Sequence, residues 1–164
     1  MTMAKTGELT GGMKDWSRLQ MATTALNRAR DLELAKIGLN MPQAEVLYCL
    51  KIAKEPMTPM KLCRMMFKQP HTVSAMVHRM ESRGLVVTRR DMKRKNWVRV
   101  SLTRKGEEAF ERWSKTTMVP DVAFSSLSTK EREALSAITK KLHAKSVELL
   151  RQMQPDPYSD PLFW

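Results

Sequence analysis

The sequence predicts a mainly α-helical chain with one small β-hairpin, and three observations carry that expectation. Apolar residues recur at intervals of three and four through most of the 164 residues, in segments bounded by Pro, Gly or a capping Ser or Thr. Between Leu85 and Leu102 that spacing gives way to two β-rich runs around a polar turn. Basic charge is also concentrated: Lys54 to Gly106 holds 14 Lys or Arg against 3 Asp or Glu, whereas the rest of the chain holds 15 against 14. A chain nearly neutral outside one block and strongly basic inside it has a localised site for a polyanion.

Taken in order, residues 1–14, with Gly7, Gly11 and Gly12, read as a flexible arm. From Asp15 to about Ile37 there is neither Pro nor Gly, and Trp16, Leu19, Ala22, Leu26 and Ala29 form one stripe of a long helix that Gly38 stops. Pro42 suits the first turn of a second helix, which turns Val46, Leu47 and Leu50 inward and ends near Lys54, before Pro56. Thr58 caps and Pro59 opens a third, with Leu62, Met65 and Met66 on one face. After a turn at "FKQ", Pro70 starts a fourth helix and Gly84 ends it. "LVVTRR", "DMKRKN" and "WVRVSL" then read as strand, turn and strand, with Val98, Val100 and Leu102 alternating against Trp97, Arg99 and Ser101. Thr103 caps a fifth helix that Pro120 interrupts. Ser128 or Thr129 begins the last, with Leu135, Ile138, Leu142 and Leu149 at helical spacing. Residues 154–164, "QPDPYSDPLFW", are proline-rich and read as an extended tail.

Composition narrows the class. Apolar residues at 42% and charged residues at 28% describe a globular domain. No apolar run approaches the roughly 20 residues that span a bilayer, and the N-terminus has no apolar signal core, so the expected location is the cytoplasm, with no membrane partner. Cys49 and Cys63 sit among apolar neighbours as buried free thiols, and no histidine stands at a metal-ligand spacing from them. The 14 methionines fall mostly at core spacing, which favours packing over a soft-metal site. No nucleophile triad, carboxylate pair or phosphate-cradling glycine loop is present, so neither an enzyme nor a cofactor is expected.

On the fourth helix, Val73, Met76, Val77 and Met80 share the face that packs on the domain. The other face presents His71, Thr72, Ser74, Ala75, His78 and Arg79, with Gln69 just before it. Short polar and methyl-bearing groups near a helix N-terminus, with an Arg one or two turns on, can reach base edges in the major groove, about 12 Å wide. Thr58, Lys61 and Lys68 would meet phosphates beside it. The hairpin tip adds Arg89, Arg90, Lys93, Arg94 and Lys95; between Thr88 and Val100 six basic residues face one acid, a repulsion that a duplex would relieve. Helix, helix, turn, helix and charged hairpin make a winged helix-turn-helix over residues 40–103. The flanking helices, 15–39 and 104–153, carry apolar stripes that so small a module cannot cover, so they would pair two chains as a homodimer. The competing reading is an architectural or nucleoid-associated protein that binds double-stranded DNA with little sequence preference.

"TVSAMVHRMESRGLV", followed after the hairpin by "VRVSLTRKG", resembles the MarR family of bacterial transcription regulators, whose pattern is L-E-x-x-G-L-V, a wing, then V-x-L-T-x-K-G. The likeness runs from about Asn40 to Trp113. It implies an interlocked two-fold dimer that represses genes from a pseudo-palindromic operator until a small effector binds between the dimerisation and DNA-binding parts. Trp16, Leu19 and Tyr48 would line that pocket and suit an apolar or aromatic molecule. The wing departs from the pattern: Arg94, Lys95 and Asn96 stand where many members have D-R-R, and Thr88 where an Arg is expected. A looser electrostatic contact by Lys93, Arg94 and Lys95 follows. The cysteine of the family's peroxide sensors is absent from the first helix, which points to release by a ligand and not by thiol oxidation.

Overall fold

Seven helices and one antiparallel hairpin occupy residues 10–90 and 98–153, the parts described by the computed structural model. Local chemistry sets most of their ends. In α1 (Gly11–Ala35) the Thr10 hydroxyl accepts the Met13 N–H at 3.3 Å, so the helix starts inside the stretch expected as a flexible arm. The cap outweighs the poor helix propensity of Gly11 and Gly12. Residues 1–9 of that arm, and the tail at 154–164, lie outside the described residues. At the other end Gly38, at φ +72°, turns the chain so that the Leu39 N–H reaches the Leu34 carbonyl at 3.0 Å.

Asn40 caps α2 (Met41–Ala53) by accepting the Gln43 N–H at 3.0 Å, and Asp31 of α1 accepts the Met41 N–H at 2.9 Å. Thr58 caps α3 (Pro59–Met66) through the Lys61 N–H at 3.2 Å. α4 (Pro70–Ser82) ends as expected at Gly84, whose φ of +69° lets the Leu85 N–H close on the Met80 carbonyl at 2.9 Å. β1 (Val86–Arg90) and β2 (Val98–Leu102) then pair with Val86 opposite Leu102, Thr88 opposite Val100 and Arg89 opposite Arg99. Met57, just before α3, adds a bridge to Val100 with bonds of 3.0 and 2.7 Å. Val98, which alternates in phase with the buried Val100, is exposed.

Thr103 caps α5 (Arg104–Lys115) through the Gly106 N–H at 3.0 Å. The break expected at Pro120 falls earlier, at Thr116 and Thr117. Pro120 is the third residue of a separate short helix, α6 (Met118–Ser125), where the N–H it lacks has no intrahelical acceptor to miss. Ser128 and Glu131 cap α7 (Thr129–Met153) reciprocally: the Ser128 N–H donates to Glu131 Oε2 at 2.8 Å, and the Glu131 N–H returns to Ser128 Oγ at 3.4 Å.

The core lies within the winged module, where Val46 and Leu47 of α2, Leu62 of α3, Val73 and Met80 of α4, and Val100 of β2 are fully buried. Met57, Met66 and Met76 pack there too, whereas Met13, Met21, Met118 and Met153 on the flanking helices are exposed. That contrast is general. α1 buries Glu33 and Leu34, α6 buries nothing and α7 buries Val147 alone, so the flanking helices have apolar stripes but no core of their own.

Candidate nucleic-acid interface

The rotation of α4 is fixed by its buried side. Val73, Met76, Val77 and Met80 are sunk into the module, which leaves His71, Thr72, Ser74, Ala75, His78 and Arg79 exposed on the opposite side with Gln69 at the N-cap. The structure therefore brings these seven predicted positions to one accessible surface. Further bonds hold the helix's far end. Arg83 donates to the Gly38 carbonyl at 2.6 Å and to Gln43 Oε1 at 3.0 Å, while Lys105 Nζ donates to the Arg83 carbonyl at 2.8 Å. α4 is thereby tied to the α1–α2 turn and to α5, a rigid mounting for side chains that must meet a partner in register.

The residues expected to meet phosphates fare unequally. The Thr58 hydroxyl is used as the α3 cap. Lys61 Nζ lies 3.5 Å from Glu55 and Lys68 Nζ 3.2 Å from Glu45, so scaffold carboxylates hold both lysines beside α3. Arg89 and Arg90 are exposed at the end of β1; Lys93, Arg94 and Lys95 lie outside the described residues. Sequence reasoning missed Arg99, which faces Arg89 across the hairpin and donates to the Pro56 carbonyl at 3.4 Å. Its alternation with Val98 and Val100 was the available signal, since it places Arg99 on the face away from the core.

Thr88 has a role that its reading as a replaced Arg did not suggest. Its hydroxyl and N–H donate to Glu81 Oε1 at 2.6 and 2.7 Å, joining the hairpin base to the last turn of α4. These bonds hold the Glu81 carboxyl below its ordinary value of 4.5. Because the folded pKa is depressed, the link stabilises the fold fully above the ordinary carboxylate range and is lost as pH falls through the folded value. Thr88→Val is expected to cost on the order of 1 kcal/mol at neutral pH, and the deficit should shrink in acid as Glu81 takes up a proton. Urea unfolding at pH 7 and below pH 4 checks this; a deficit independent of pH would detach Glu81 from the effect.

Both thiols are buried, and burial pushes Cys49 up to about 12 and Cys63 up as well, so neither offers a reactive thiolate at neutral pH. The expected effector trio is less gathered: Trp16 is 63% exposed, Leu19 44% and Tyr48 41%. Tyr48 lies against Trp113 of α5, ring centroids 5.8 Å apart, and Trp113 against Phe110 at 5.3 Å. Among the described residues no helix is long and apolar enough to cross a membrane.

Comparison with known proteins finds a matching family model and similar structures. The MarR family model matches residues 37–100, the stretch from the α1–α2 turn to β2. Over that stretch the chain is similar to the MarR family. An uncharacterised helix-turn-helix transcriptional regulator of Bacillus cereus is 29% identical over 137 residues, covering 80% of this chain and 88% of its own. Among solved structures, the organohalide-sensing transcriptional regulator RdhR in its ligand-free form is 25% identical with a TM-score of 0.83, covering 100% of this chain and 98% of its own. MarR from E. coli complexed with operator DNA shares the fold at 22% identity and a TM-score of 0.75, over 83% of this chain and 99% of its own. The Bacillus cereus relative and the organohalide-sensing protein are both transcriptional regulators.

Proposed function

We propose that the chain is a homodimeric, sequence-specific repressor that binds a pseudo-palindromic operator and is released by a small apolar or aromatic effector. The observation that carries this reading is the exposed face of α4, seven positions from Gln69 to Arg79 turned outward by four buried ones, next to a hairpin whose charge is nearly all of one sign. In it, α4 reads base edges, Lys61, Lys68, Arg89, Arg90 and the wing tip meet phosphates, and α1 with α5 to α7 pairs the two chains in the cytoplasm. The organohalide-sensing regulator, 26% identical in its 2,4-dichlorophenol-bound form with a TM-score of 0.80 over 91% of this chain and 92% of its own, supports the effector class. Tyr48, Trp113 and Phe110 offer such a molecule an aromatic wall, and the buried thiols argue against oxidation as the trigger.

Helix and wing should separate in a binding titration. Ser74→Ala or Arg79→Ala is expected to cost about 1–3 kcal/mol on the operator and to relax preference at one position. Lys93, Arg94 and Lys95 changed together to Gln should weaken operator and random DNA alike and reduce the salt slope by about 0.9 for each phosphate no longer neutralised. An unchanged slope removes the wing from the interface. Equal affinity of the wild type for operator and random DNA at every salt concentration would instead favour an architectural protein.

A further inference from the structure

Glu33 is the one charged residue fully buried among the described residues, 5% exposed, and its partner Arg30 one turn earlier is 13% exposed. The pair does more than neutralise itself. Arg30 Nη1 donates both to Glu33 Oε2 and to the Thr116 carbonyl, and Glu33 Oε1 accepts the Val119 N–H at 3.2 Å. Thr116 and Val119 flank the break between α5 and α6, where Thr116 (φ −93°, ψ 87°) and Thr117 (φ −125°, ψ 7°) leave helical geometry. At such a break the last carbonyls of one helix and the first amides of the next lack intrahelical partners. Arg30 serves a carbonyl at the C-terminus of α5 and Glu33 an amide at the N-terminus of α6, each charge matching the helix dipole it meets.

The location gives this pair its meaning. α5 packs on the module through α2 and β2, while α6 packs on α1, so the break is where the DNA-reading part passes into the flanking helices. A buried ion pair is weak evidence for stability, since a well-packed apolar pair often serves as well. What its directed bonds add is a defined angle. We propose that Arg30 and Glu33 are positioning residues that fix the angle at the α5–α6 break, and with it the half-site spacing that two recognition helices of a dimer can read. This rests on the dimeric DNA-reading function proposed above. A change of angle at the break displaces the recognition helix of each chain, and the two-fold symmetry makes the change in spacing between them twice the displacement of one along the DNA axis.

The test is selection from a random double-stranded DNA library by the wild type, by Glu33→Gln, which keeps an acceptor for Val119 without the charge, and by the apolar double variant Arg30→Met with Glu33→Leu. Thermal unfolding establishes that each selected protein is folded, and the apolar pair carries the test if Glu33→Gln is not. The expected result is recovery of the wild-type half-site sequence with a spacing shifted or broadened by at least one base pair. Affinity for the wild-type spacing should fall about tenfold, with random-DNA affinity unchanged. A folded variant that recovers the wild-type spacing just as sharply overturns the proposal and leaves the pair a structural role. A wild type that enriches no sequence removes the DNA-reading function itself, and that outcome is visible before any variant is compared.

Discussion

Gly106→Ala is expected to destabilise the fold by about 3 kcal/mol, the upper part of the usual range for an overpacked site. A methyl group at this position would lie 2.0 Å from the Leu85 carbonyl oxygen, 3.1 Å from its carbon and 3.3 Å from Leu102 Cδ2. The obstacle is backbone, and it is pinned. The Leu85 carbonyl accepts the Thr103 N–H at 3.1 Å and the Thr103 hydroxyl at 3.2 Å, while the Leu85 N–H closes the end of α4 on Met80 at 2.9 Å. Relief therefore requires α5 to lift from the hairpin base, which unseats Ala109, buried one turn later. For a chain of this size the melting midpoint should drop by roughly 6–12 °C. Gly12→Ala is the matched control, since nothing lies within 4 Å of its added methyl, and in a helix it should gain up to about 1 kcal/mol. Equal midpoints for the two variants would mean that the close approach at Gly106 is absent in solution.

Gly106 also shows what was legible in the sequence and what was not. The run "VRVSLTRKG" is readable as a motif, and Thr103 as a cap, from local chemistry alone. Why the motif ends in glycine depends on Leu85, 21 positions away and visible only once the hairpin closes. The same division holds along the chain. Asn40, Thr58, Gly84, Thr103 and Ser128 mark helix ends through neighbours within a few residues, so most elements could be read directly. The α5–α6 break could not, because its bonds reach back 86 residues to Arg30 and Glu33, and Pro120, the obvious local breaker, drew the boundary to itself. At the candidate interface the exposed face of α4 follows from a 3.6-residue period and was legible. The carboxylates beside Lys61 and Lys68 were not, since pairing with Glu55 and Glu45 depends on how α2, α3 and their turns pack. Those pairs will lower the charge these lysines offer a phosphate until a duplex displaces the carboxylates.

Changing Ile138 and Leu142 together to Glu is expected to convert the proposed dimer to a monomer and to weaken binding to the proposed operator by about 100-fold or more. Both side chains lie on α7, 54% and 48% exposed, on a 25-residue helix that buries only Val147. An apolar stripe of that length left in water lacks the burial that normally stabilises a helix, and the exposed Trp16, Leu19 and Leu26 of α1 present a second stripe in the same condition. The proposed dimer covers both. Two carboxylates placed in such an interface must either be desolvated or keep it open, at a cost of several kcal/mol, and each 1.4 kcal/mol is a tenfold change in the dimer constant. The winged module should remain folded, because its core of Val46, Leu47, Leu62 and Val100 takes no residue from α7. Operator affinity falls for a separate reason: a dimer binds its second half-site at high effective concentration, which commonly contributes 10²–10⁴-fold, and a monomer forfeits it. Random DNA, held mainly by its phosphates, should lose less, so the ratio between operator and random DNA narrows. Sedimentation and operator titration on the same samples check both halves. A wild type that sediments as a folded monomer at micromolar concentration, or a double Glu variant that remains a dimer, would move the pairing surface away from α7.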